Sequence, residues 1–522
     1  MTSPVRRVAA SGPRARSFRD PAAVQARRRW SLVPALALLL AAGTGAPRSD
    51  DRTDPAAADR PPNVVFIMAD DPGIGELGAY GQEHIRRPAM DRPAAEGMRV
   101  THHDGGSPVC TPSRAVRLTA RARPHAVVRD NREVGGWSPD EPEGRMPLPP
   151  GTDTSARRPQ DAGYATATIG TRGLGGPDST GMPNRRGFDL FHGYRCRRVA
   201  HDLDPTHLRR SDVREDLPGH EWGSLVTATC AQDLTAEEAV AFLERNADRP
   251  FLLHLPFHVP HPAPQVPREE IDASADLPEE GSYDGSRGSL PHPSPRRACA
   301  GMVTRMDRDI GRIVDRVGAL GLGPHAIVIV TSDDGPTFDV GGPDSVFVDS
   351  TAGRRGRKGS RYEGGIRVPL LVRRPGRVPA GTTSDVVSAF EDRMPRVCGI
   401  AGVPGPEVTE GGDLPPVLLD RRPAAERPFV AWEFPRYGGQ EAVRMGRWKA
   451  VRRFMARGEM EIDLFDLETD PGETTVVAAD HRAIAVEARR IMREERKPSP
   501  AFPMPGLDRP VARPPTANGG ER

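Results

Sequence analysis

Residues 63–71 read NVVFIMADD, and this apolar run ending in two aspartates is the strongest indication of the fold. Residues 326–336 repeat the pattern, with the run AIVIVT followed by SDDGP. Uninterrupted apolar runs of this length predict strands that are buried on both faces, as in parallel sheets. Apolar positions at helical spacing in residues 298–320 predict a helix that packs on such a sheet. The two runs therefore indicate an α/β fold built on a parallel sheet.

Both predicted strands end in paired carboxylates, Asp70 and Asp71 after the first and Asp333 and Asp334 after the second. In open α/β sheets functional sites lie at the carboxyl ends of the strands, so the two pairs are expected to meet. A lone Asp-Asp pair is usually a solvated turn, but two copies after two buried strands favour a shared site. Four clustered carboxylates need a counter-charge, and hard oxygen ligands suit Ca²⁺, with Mg²⁺ as the alternative.

A second candidate centre is the segment SPVCTPSR at residues 107–114. Pro112 and Ser113 suit the first turn of a helix that begins close to Cys110. Arg114 follows Cys110 by one helical turn, so its guanidinium is expected on the same side of the helix. Backbone N–H groups at a helix N-terminus attract anions. The segment thus predicts either a nucleophile beside an anion site or an ordinary buried thiol.

The 522 residues carry 73 basic and 71 acidic side chains, and the net charge of +2 argues against nucleic acid as a partner. Only three of the basic residues are lysine, namely Lys358, Lys449 and Lys497. This imbalance indicates a drift toward arginine in a GC-rich coding sequence, with no function of its own. A lysine that survives the drift is therefore a stronger candidate for a specific role.

Domain boundaries follow from shifts in composition. Residues 1–46 combine arginines with a short Leu- and Ala-rich run, which predicts an export signal too short to span a membrane comfortably. We therefore expect an exported protein, periplasmic or extracellular, without stable membrane insertion, and an anchored form is the alternative. A linker is predicted at residues 47–60, a large catalytic domain at 61–401, a small α+β domain at 402–504 and a loose tail at 505–522.

Finer predictions concern secondary structure. The segment TAEE at residues 235–238 matches a capping box, which predicts that a helix begins there. Residues 442–454 and 459–467 alternate apolar and polar positions and predict the two strands of an antiparallel hairpin. Residues 481–496 predict one helix after the hairpin. Residues 262–297 are rich in Pro and Gly and predict a long loop over the edge of the site.

Taken in order, these motifs resemble those of the sulfatase family. The segment CTPSR at 110–114, with LTAR at 118–121, is similar to the family signature C-x-P-S-R…L-T-G-R. The segments ADDPGIG at 69–75 and TSDDGP at 331–336 resemble the two metal motifs of the family. VPH at 259–261 resembles the A-P-H element, and residues 355–369 resemble the conserved block that follows the second metal motif. The resemblance covers about residues 62–505 and is similar in detail to bacterial arylsulfatase-A-like members. It implies an alkaline-phosphatase-like α/β fold, a mixed and mostly parallel sheet sandwiched by helices, with a smaller C-terminal α+β domain.

The resemblance also implies an activity, the hydrolysis of sulfate esters by an arylsulfatase-like enzyme. A formylglycine-generating enzyme would oxidise Cys110 to formylglycine, whose hydrated form attacks sulfur and is regenerated afterwards. Arg114 and Lys358 would hold the diol and the developing negative charge, and His261 would donate a proton or hydrogen bond to the leaving oxygen. The substrate would be a sulfated small molecule or glycan. Ca²⁺, or alternatively Mg²⁺, would be held by Asp70, Asp71, Cys110, Asp333 and Asp334.

Two further histidines lie close to His261 in the sequence, His254 and His258. A histidine in a Pro-rich segment is usually a loop residue with no ligand. The A-P-H resemblance singles out His261, and we interpret His254 and His258 as an apolar-strand residue and a loop residue, not as ligands.

Four positions depart from the family pattern. GTRGLG at 170–175 aligns with G-K-W-H-L-G, so Thr171 and Gly173 stand where the family has Lys and His. Thr171 supplies no charge, and one charged hydrogen bond is worth about 1.5–3 kcal/mol, which predicts a reduced rate. Ala120 replaces a glycine of the stretch that the converting enzyme reads, and Asp334 replaces an asparagine at the metal. Two alternatives therefore stay open: a catalytically impaired sulfatase-like protein that binds sulfated ligands, and a phosphodiester or phosphonate hydrolase on the same fold.

Overall fold

The computed structural model describes residues 61–135, 144–195, 197–225, 227–337, 344–392, 398–400, 402–404, 410–411 and 427–508. The predicted export signal and linker lie outside these residues, as does the tail beyond residue 508. Among the helices of the described part, none combines the length and the apolar character that crossing a membrane requires.

The secondary structure elements are as follows. The strands are β1 (Asn63–Ala69), β2 (Met98–Val100), β3 (His103–Asp104), β4 (Glu133–Gly135), β5 (Gly144–Arg145), β6 (Ala165–Thr171), β7 (Leu190–Tyr194), β8 (His207–Arg210), β9 (Val213–Asp216), β10 (Phe251–Pro256), β11 (Ala326–Ser332), β12 (Leu370–Arg373), β13 (Thr382–Ser384), β14 (Ser388–Ala389), β15 (Val430–Phe434), β16 (Gln440–Met445), β17 (Trp448–Arg452) and β18 (Asp463–Asp466). The helices are α1 (Pro88–Ala95), α2 (Cys110–Thr119), α3 (Arg157–Asp161), α4 (Arg197–Ala200), α5 (Ala231–Arg245), α6 (Arg268–Asp272), α7 (Pro295–Ala319), α8 (Glu363–Ile366) and α9 (Arg482–Glu494).

The main sheet has ten strands in the spatial order β13-β2-β12-β11-β1-β10-β6-β7-β8-β9. The five central strands, from β11 to β7, are parallel, and antiparallel pairs flank them on both sides. β1 lies between β11, where Ala69 is opposite Ser332, and β10, where Met68 is opposite Pro256. The predicted mixed and mostly parallel sheet is confirmed, and β1, β10 and β11 end at the same edge.

The side chains of β1 alternate between two apolar cores, one on each face of the sheet. Val65 and Ile67 pack with residues of α5 and α7, whereas Val64 and Phe66 pack with residues of α2. Because both faces are covered, the strand is apolar at every position. α7 confirms the helix predicted at residues 298–320.

α5 begins earlier than the capping box predicted. Thr235 lies inside the helix, where its hydroxyl donates to the carbonyl of Gln232 at 2.6 Å. The N–H of Ala231 at the helix N-terminus donates instead to Asp204 Oδ1 at 2.6 Å. The start predicted at residue 235 is therefore wrong, because a carboxylate 27 residues away caps the helix and leaves no local pattern.

The small domain is a four-stranded antiparallel sheet in the order β15-β16-β17-β18. One face packs on α9, which confirms the helix predicted at residues 481–496. The other face carries Trp432 and Phe465, which pack on Tyr362 and Ile366 of the large domain. A smaller C-terminal α+β unit is thus present, and its limits at 402–504 stay a prediction.

The hairpin in this domain differs from the prediction. Residues 442–454 were expected to form a single strand, but they contribute to both β16 and β17, which pair antiparallel with Met445 opposite Trp448. The two-residue turn between them contains Gly446, whose φ of 57° lies in the left-handed region that glycine favours. β17 then pairs with β18, so the domain contains two successive hairpins.

Candidate active site

Cys110 is the first residue of α2, as the sequence predicted. Val109 before it is extended, and Pro112 follows in the first helical turn, where it removes no hydrogen bond. Cys110 is 8% exposed, and burial together with the negative charge of Asp70 raises the pKa of the thiol well above its usual value. The unmodified side chain is therefore a neutral thiol, which is a weak nucleophile.

The four aspartates converge at the carboxyl edge of the main sheet. Asp70 and Asp71 follow β1, and Asp333 and Asp334 follow β11, so the parallel register of the two strands brings both pairs together. The N–H of Asp71 donates to Asp333 Oδ1 at 3.2 Å. Ligand atoms of Asp70, Asp71, Cys110 and His261 lie within 4.8 Å of one another, and so do those of Cys110, Asp333 and Asp334. We refer to the four aspartates as the carboxylate cluster.

Two cations lie in contact with the carboxylate cluster. Arg114 Nη2 is 2.6 Å from Asp70 Oδ2 and 2.8 Å from Asp333 Oδ2, so the guanidinium bridges the two strand ends. Lys358 Nζ contacts Asp71 and lies 2.9 Å from Cys110 Sγ. Two positive charges therefore face four carboxylates and a thiol in a buried site.

The unequal charge appears in the pKa values of the cluster. Burial would raise the pKa of Asp70, but Arg114 and His258 hold it well below the usual value. Burial raises the pKa of Asp71 to about 8 despite the contact with Lys358, and raises the pKa of Asp333 to about 6. Arg114 and Lys358 together therefore do not neutralise the negative charge of the four aspartates.

Several oxygens of the cluster are oriented to receive a further positive group. Asp70 Oδ1, Asp71 Oδ2 and both carboxylate oxygens of Asp334 are buried and accept no hydrogen bond within the described residues. Buried polar atoms are normally satisfied, and leaving them so is costly. The donor set consists of hard oxygens, so its chemistry fits a divalent cation of the Ca²⁺ or Mg²⁺ type.

Two histidines border the cluster on the segment after β10. His261 Nε2 lies 3.8 Å from Asp71 Oδ2, and Nδ1 lies 2.5 Å from the carbonyl oxygen of Pro262. A carbonyl only accepts, so the Nδ1–H donates to it and the Nε2 atom is presented to the site. Burial and the neighbouring Lys358 lower the pKa of His261 well below its usual value.

His258 is a site residue that the sequence interpretation missed. Its Nδ1 atom lies 2.9 Å from Asp70 Oδ2, and its ring stacks on that of His261 with centroids 5.1 Å apart. Its interpretation as a loop residue that is not a ligand stays a prediction, and its contact with Asp70 is a feature that the sequence did not indicate. The pattern that could have found it is its position two residues beyond β10, the third strand that ends at this edge. His254, by contrast, lies within β10, as expected.

Thr171 occupies the end of β6, beside Arg114. The Nη1 atom of Arg114 lies 3.2 Å from Thr171 Oγ1 and 3.4 Å from the Thr171 carbonyl oxygen. Arg172 turns away and places its guanidinium over the ring of Phe188. At Gly173, with φ 67°, the nearest neighbour of an added Cβ would be Thr111 Oγ1 at 3.4 Å. The positions aligned with the family lysine and histidine therefore contribute no charged group to the site.

The loop that carries Lys358 is attached to both halves of the site. The N–H of Lys358 donates to the carbonyl of Pro336 at 2.9 Å, just beyond Asp334. The N–H of Gly359 donates to the carbonyl of Pro108 at 2.6 Å, just before Cys110. The structure thus brings together every residue that the sequence singled out, and the roles assigned to them stay predictions. These residues are Asp70, Asp71, Cys110, Arg114, His261, Asp333, Asp334 and Lys358.

A carboxylate cluster at the edge of a mostly parallel sheet, facing a helix N-terminus, is the arrangement of an alkaline phosphatase superfamily hydrolase. Comparison with family models is more specific. The model described as Sulfatase matches residues 62–403, and the model described as N-sulphoglucosamine sulphohydrolase, C-terminal, matches residues 357–497. The chain belongs to the sulfatase family.

Individual relatives agree with the family. The chain is 32% identical to the steryl-sulfatase of Mus musculus in an alignment of 449 positions that covers 72% of this chain and 68% of the relative. It is 30% identical to arylsulfatase A of Homo sapiens in an alignment of 464 positions that covers 80% of this chain and 83% of the relative. A protein solved with D-glucosamine-2-N,6-O-disulfate has a similar fold, with a TM-score of 0.64 and 22% identity over 83% of this chain and 97% of that chain. Sulfate ester hydrolysis is the activity that these relatives support.

Proposed function

We propose that the protein hydrolyses sulfate esters with a formylglycine made from Cys110 and a divalent cation held by the carboxylate cluster. The observation that carries the proposal is the charge count. Among the described residues, four buried carboxylates meet two cations, Arg114 and Lys358, beside the side chain at position 110. With all four carboxylates ionised, two negative charges remain, which a divalent cation would neutralise, and the anionic sulfate ester would then bind against that cation, Arg114 and Lys358.

The two groups that complete the site have defined partners. Asp70, Asp71, Asp333 and Asp334 would hold the cation, with residue 110 as a further ligand, and Ca²⁺ is proposed ahead of Mg²⁺ because Ca²⁺ accepts many protein oxygens, whereas Mg²⁺ usually keeps several waters and binds one or two carboxylates. The cation supplies charge for the sulfate oxygens, and formylglycine supplies a hydroxyl nucleophile in its hydrated form. The high pKa of the Cys110 thiol supports the need for conversion.

Three side chains of this chain would carry the remaining work. Arg114 points into the site from α2 and Lys358 from the loop that precedes α8, where they would orient the substituent at position 110 and stabilise negative charge on the sulfate. The Nε2 atom of His261 faces the same space, and donation to the leaving oxygen would require the doubly protonated ring, which the anionic sulfate bound beside it would favour. Fixed donors of this kind act without reorganisation when charge develops.

We propose that the reaction is slower than in a sulfatase with the complete motif, because Thr171 contributes no positive charge. The hydroxyl of Thr171 accepts a hydrogen bond from Arg114 and so takes up part of a group that could face the sulfate. Thr171 and Ala120 together support the alternative of an impaired sulfatase-like protein that binds sulfated ligands. The alternative of a phosphodiester or phosphonate hydrolase uses the same superfamily fold.

For the substrate we propose a sulfated sugar or aryl sulfate. Arg357, which precedes Lys358, lines a cavity of about 480 Å³ together with Glu279, Ser282 and Ser345. The wall also contains Tyr283 and Phe347, and such a mixture of polar and aromatic side chains suits a sugar or an aryl leaving group. The predicted partners are therefore this substrate and the formylglycine-generating enzyme, and we propose that both are met on the export route that the N-terminal segment predicts.

The test is mass spectrometry of the Cys110 peptide after co-expression with a formylglycine-generating enzyme, followed by activity assays. We expect the aldehyde mass and hydrolysis of an aryl sulfate that exceeds hydrolysis of the matching aryl phosphate. Cys110→Ala is the control and should abolish hydrolysis while leaving the fold intact. A thiol mass with no turnover would favour the binding protein, and preferred hydrolysis of the phosphate would favour the second alternative.

A further inference from the structure

Lys449 lies on β17 of the small domain and is completely buried, with 0% of its side chain exposed. Its Nζ atom is 2.7 Å from Glu363 Oε1 and 3.1 Å from Glu473 Oε1. Both carboxylates are themselves buried, at 2% and 0% exposure of their side chains. In a chain with only three lysines, one of them thus lies at the junction of two domains.

An ammonium group suits this position better than the guanidinium that predominates elsewhere in the chain. Lysine presents a compact charge with three donors at the end of a flexible stem, whereas arginine presents a wide planar fork. Glu363, Glu473 and Lys449 are all buried, and Lys449 pairs in register with Phe465, which packs with Tyr362 of the large domain. The presence of lysine at position 449 thus agrees with the need for a compact charged group between the two carboxylates.

Both carboxylates are connected to the loop that carries Lys358. Glu363 is the first residue of α8, the short helix with which the loop at residues 355–366 ends, and its N–H donates to Glu473 Oε2 at 2.6 Å. On the other side of Lys358, the Nη1 atom of Arg355 donates to the carbonyl oxygen of Glu473 at 3.0 Å. The loop at residues 355–366 is therefore bound to Glu473 before and after Lys358.

A further contact supports the loop in its middle. The side chain of Gln440 on β16 donates to the carbonyl of Gly359 at 2.8 Å. The N–H of Gly364 donates to the carbonyl of Arg355 at 2.7 Å and closes the loop on itself. The backbone around Lys358 thus depends on the small domain, although its ammonium group reaches Cys110 in the large domain.

We propose that Lys449 is a positioning residue for the active site: its buried contacts with Glu363 and Glu473 hold the 355–366 loop so that Lys358 Nζ stays beside residue 110. The small domain is then part of the catalytic apparatus. The inference rests on the proposed function only for the role given to Lys358. A purely structural role of Lys449 would instead stabilise the small domain without affecting Lys358.

The kinetic test compares Lys449→Met with Lys497→Met, the same substitution at an exposed lysine of the same domain. Lys449→Met is expected to lower kcat for an aryl sulfate by about 10- to 100-fold with little change in KM, because Lys358 acts on charge that develops in the reaction. Lys497→Met should change neither. In a Lys358→Ala background, Lys449→Met should cause no further loss, since both changes act on one group. Equal losses in the two backgrounds would overturn the proposal.

A second readout does not depend on activity. Amide hydrogen exchange of residues 355–366 should become faster in Lys449→Met, while β1 and β11 keep their protection. If Lys449→Met lacks a cooperative unfolding transition, Glu473→Gln keeps the shape but removes one partner charge and should give a smaller increase in the same segment. Unchanged exchange there in a folded variant would overturn the inference. A wild-type enzyme without sulfatase activity would count against the proposed function alone, because exchange still tests the loop.

Discussion

Two buried ionic clusters in this molecule differ in their charge balance. The carboxylate cluster places four aspartates against Arg114 and Lys358 at the edge of the main sheet. The junction cluster, which we define as Asp104, Glu363, Arg367, Lys449 and Glu473, lies between the two domains. Its three carboxylates form direct ion pairs with two cations, Arg367 and Lys449. Arg444 adds a third positive charge nearby, so the numbers of negative and positive groups are equal.

The difference shows which cluster is prepared for a ligand. Buried charges are tolerated when they are paired, and the junction cluster balances its charges with groups of the chain alone. Both clusters retain buried oxygens that accept no hydrogen bond within the described residues and carboxyl groups of raised pKa, but the carboxylate cluster also carries two more negative than positive charges when all its carboxyl groups are ionised. Its stability in the ionised form therefore depends on a cation from outside, whereas the junction cluster needs none.

The largest expected effect is that of metal removal. Exhaustive treatment with a chelator should lower sulfatase activity by about 10³-fold or more, because several kcal/mol of charge stabilisation are lost at the reacting group. Adding Ca²⁺ should restore the activity and raise the melting temperature, and adding Mg²⁺ tests the alternative ion. Full activity in protein shown by elemental analysis to be free of metal would contradict the interpretation of the carboxylate cluster.

Removing one negative charge should have opposite effects on the two clusters. Glu363→Gln leaves Lys449 and Arg367 without a shared partner and should lower the free energy of unfolding by about 3–5 kcal/mol. Asp334→Asn removes an uncompensated charge and should raise it by about 1–3 kcal/mol in the presence of chelator. Urea unfolding at matched pH measures both changes.

The difference in stability between the wild type and Asp334→Asn should depend on pH. Burial raises the pKa of Asp334 well above its usual value, so the folded state holds a proton that the unfolded state has lost. Stability of the wild type therefore falls as pH rises through the folded pKa, and the advantage of Asp334→Asn should grow in the same direction. An advantage that is constant from pH 6 to pH 9 would argue against a charged, uncompensated Asp334.

A third prediction asks whether unbalanced charge alone marks a functional site. Arg117 on α2 and Arg172 directly after β6 are both buried, and burial lowers the pKa of each to about 9. Within the described residues neither forms an ion pair with a carboxylate, and Arg117 lies over the ring of Phe66. We expect Arg117→Leu to raise the free energy of unfolding by about 2–4 kcal/mol with no change in activity.

The matched control for this variant is Arg493→Leu on α9, where the side chain is 74% exposed. That change should shift the free energy of unfolding by less than about 0.5 kcal/mol. A loss of activity in Arg117→Leu would show that the two arginines serve the active site. An excess of buried positive charge would then mark a functional site, as an excess of negative charge does.

The two clusters also differ in how far the sequence predicted them. The carboxylate cluster was predictable because each pair directly follows a continuous apolar run, and the parallel register of β1 and β11 brings the ends of both runs together. His258 follows the end of β10 in the same way, and it was missed only because a single histidine in a Pro-rich loop is uninformative. The junction cluster has no such pattern, since its residues come from four separate segments and meet through the packing of two domains.

Local sequence patterns gave wrong element boundaries in two places. In one a distant residue caps the helix, and in the other the turn keeps the strand alternation in phase. The capping box at Thr235 predicted a start that Asp204 overrides by binding the N–H of Ala231. The alternation over residues 442–454 continues across the turn at Gly446, because a two-residue turn preserves the period of two. Alternation therefore indicated strands correctly but concealed where one ended and the next began.

A fourth prediction adds charge to the unbalanced cluster. Thr171→Lys should raise the rate of sulfate ester hydrolysis by about 10- to 100-fold, since one charged hydrogen bond is worth about 1.5–3 kcal/mol. Thr171→Met is the matched control, because it has similar length and no charge and should give no gain. Equal rates for the wild type and Thr171→Lys would mean that another group already compensates for the missing lysine.

The smallest expected effect concerns the balanced cluster. Burial raises the pKa of Glu473 to about 7 from its model-compound value of 4.5, despite the contact with Lys449. Between these two values the folded state binds more protons than the unfolded state, so this group lowers stability as pH rises from about 4.5 to about 7. Glu473→Gln does not titrate, and the wild type should therefore lose roughly 1–2 kcal/mol more than this variant between pH 5 and pH 7.5. Urea unfolding of the two proteins at both pH values measures the difference. A difference of the opposite sign would mean that Lys449 holds Glu473 ionised throughout, and the junction would then be paired even more completely than its contacts indicate.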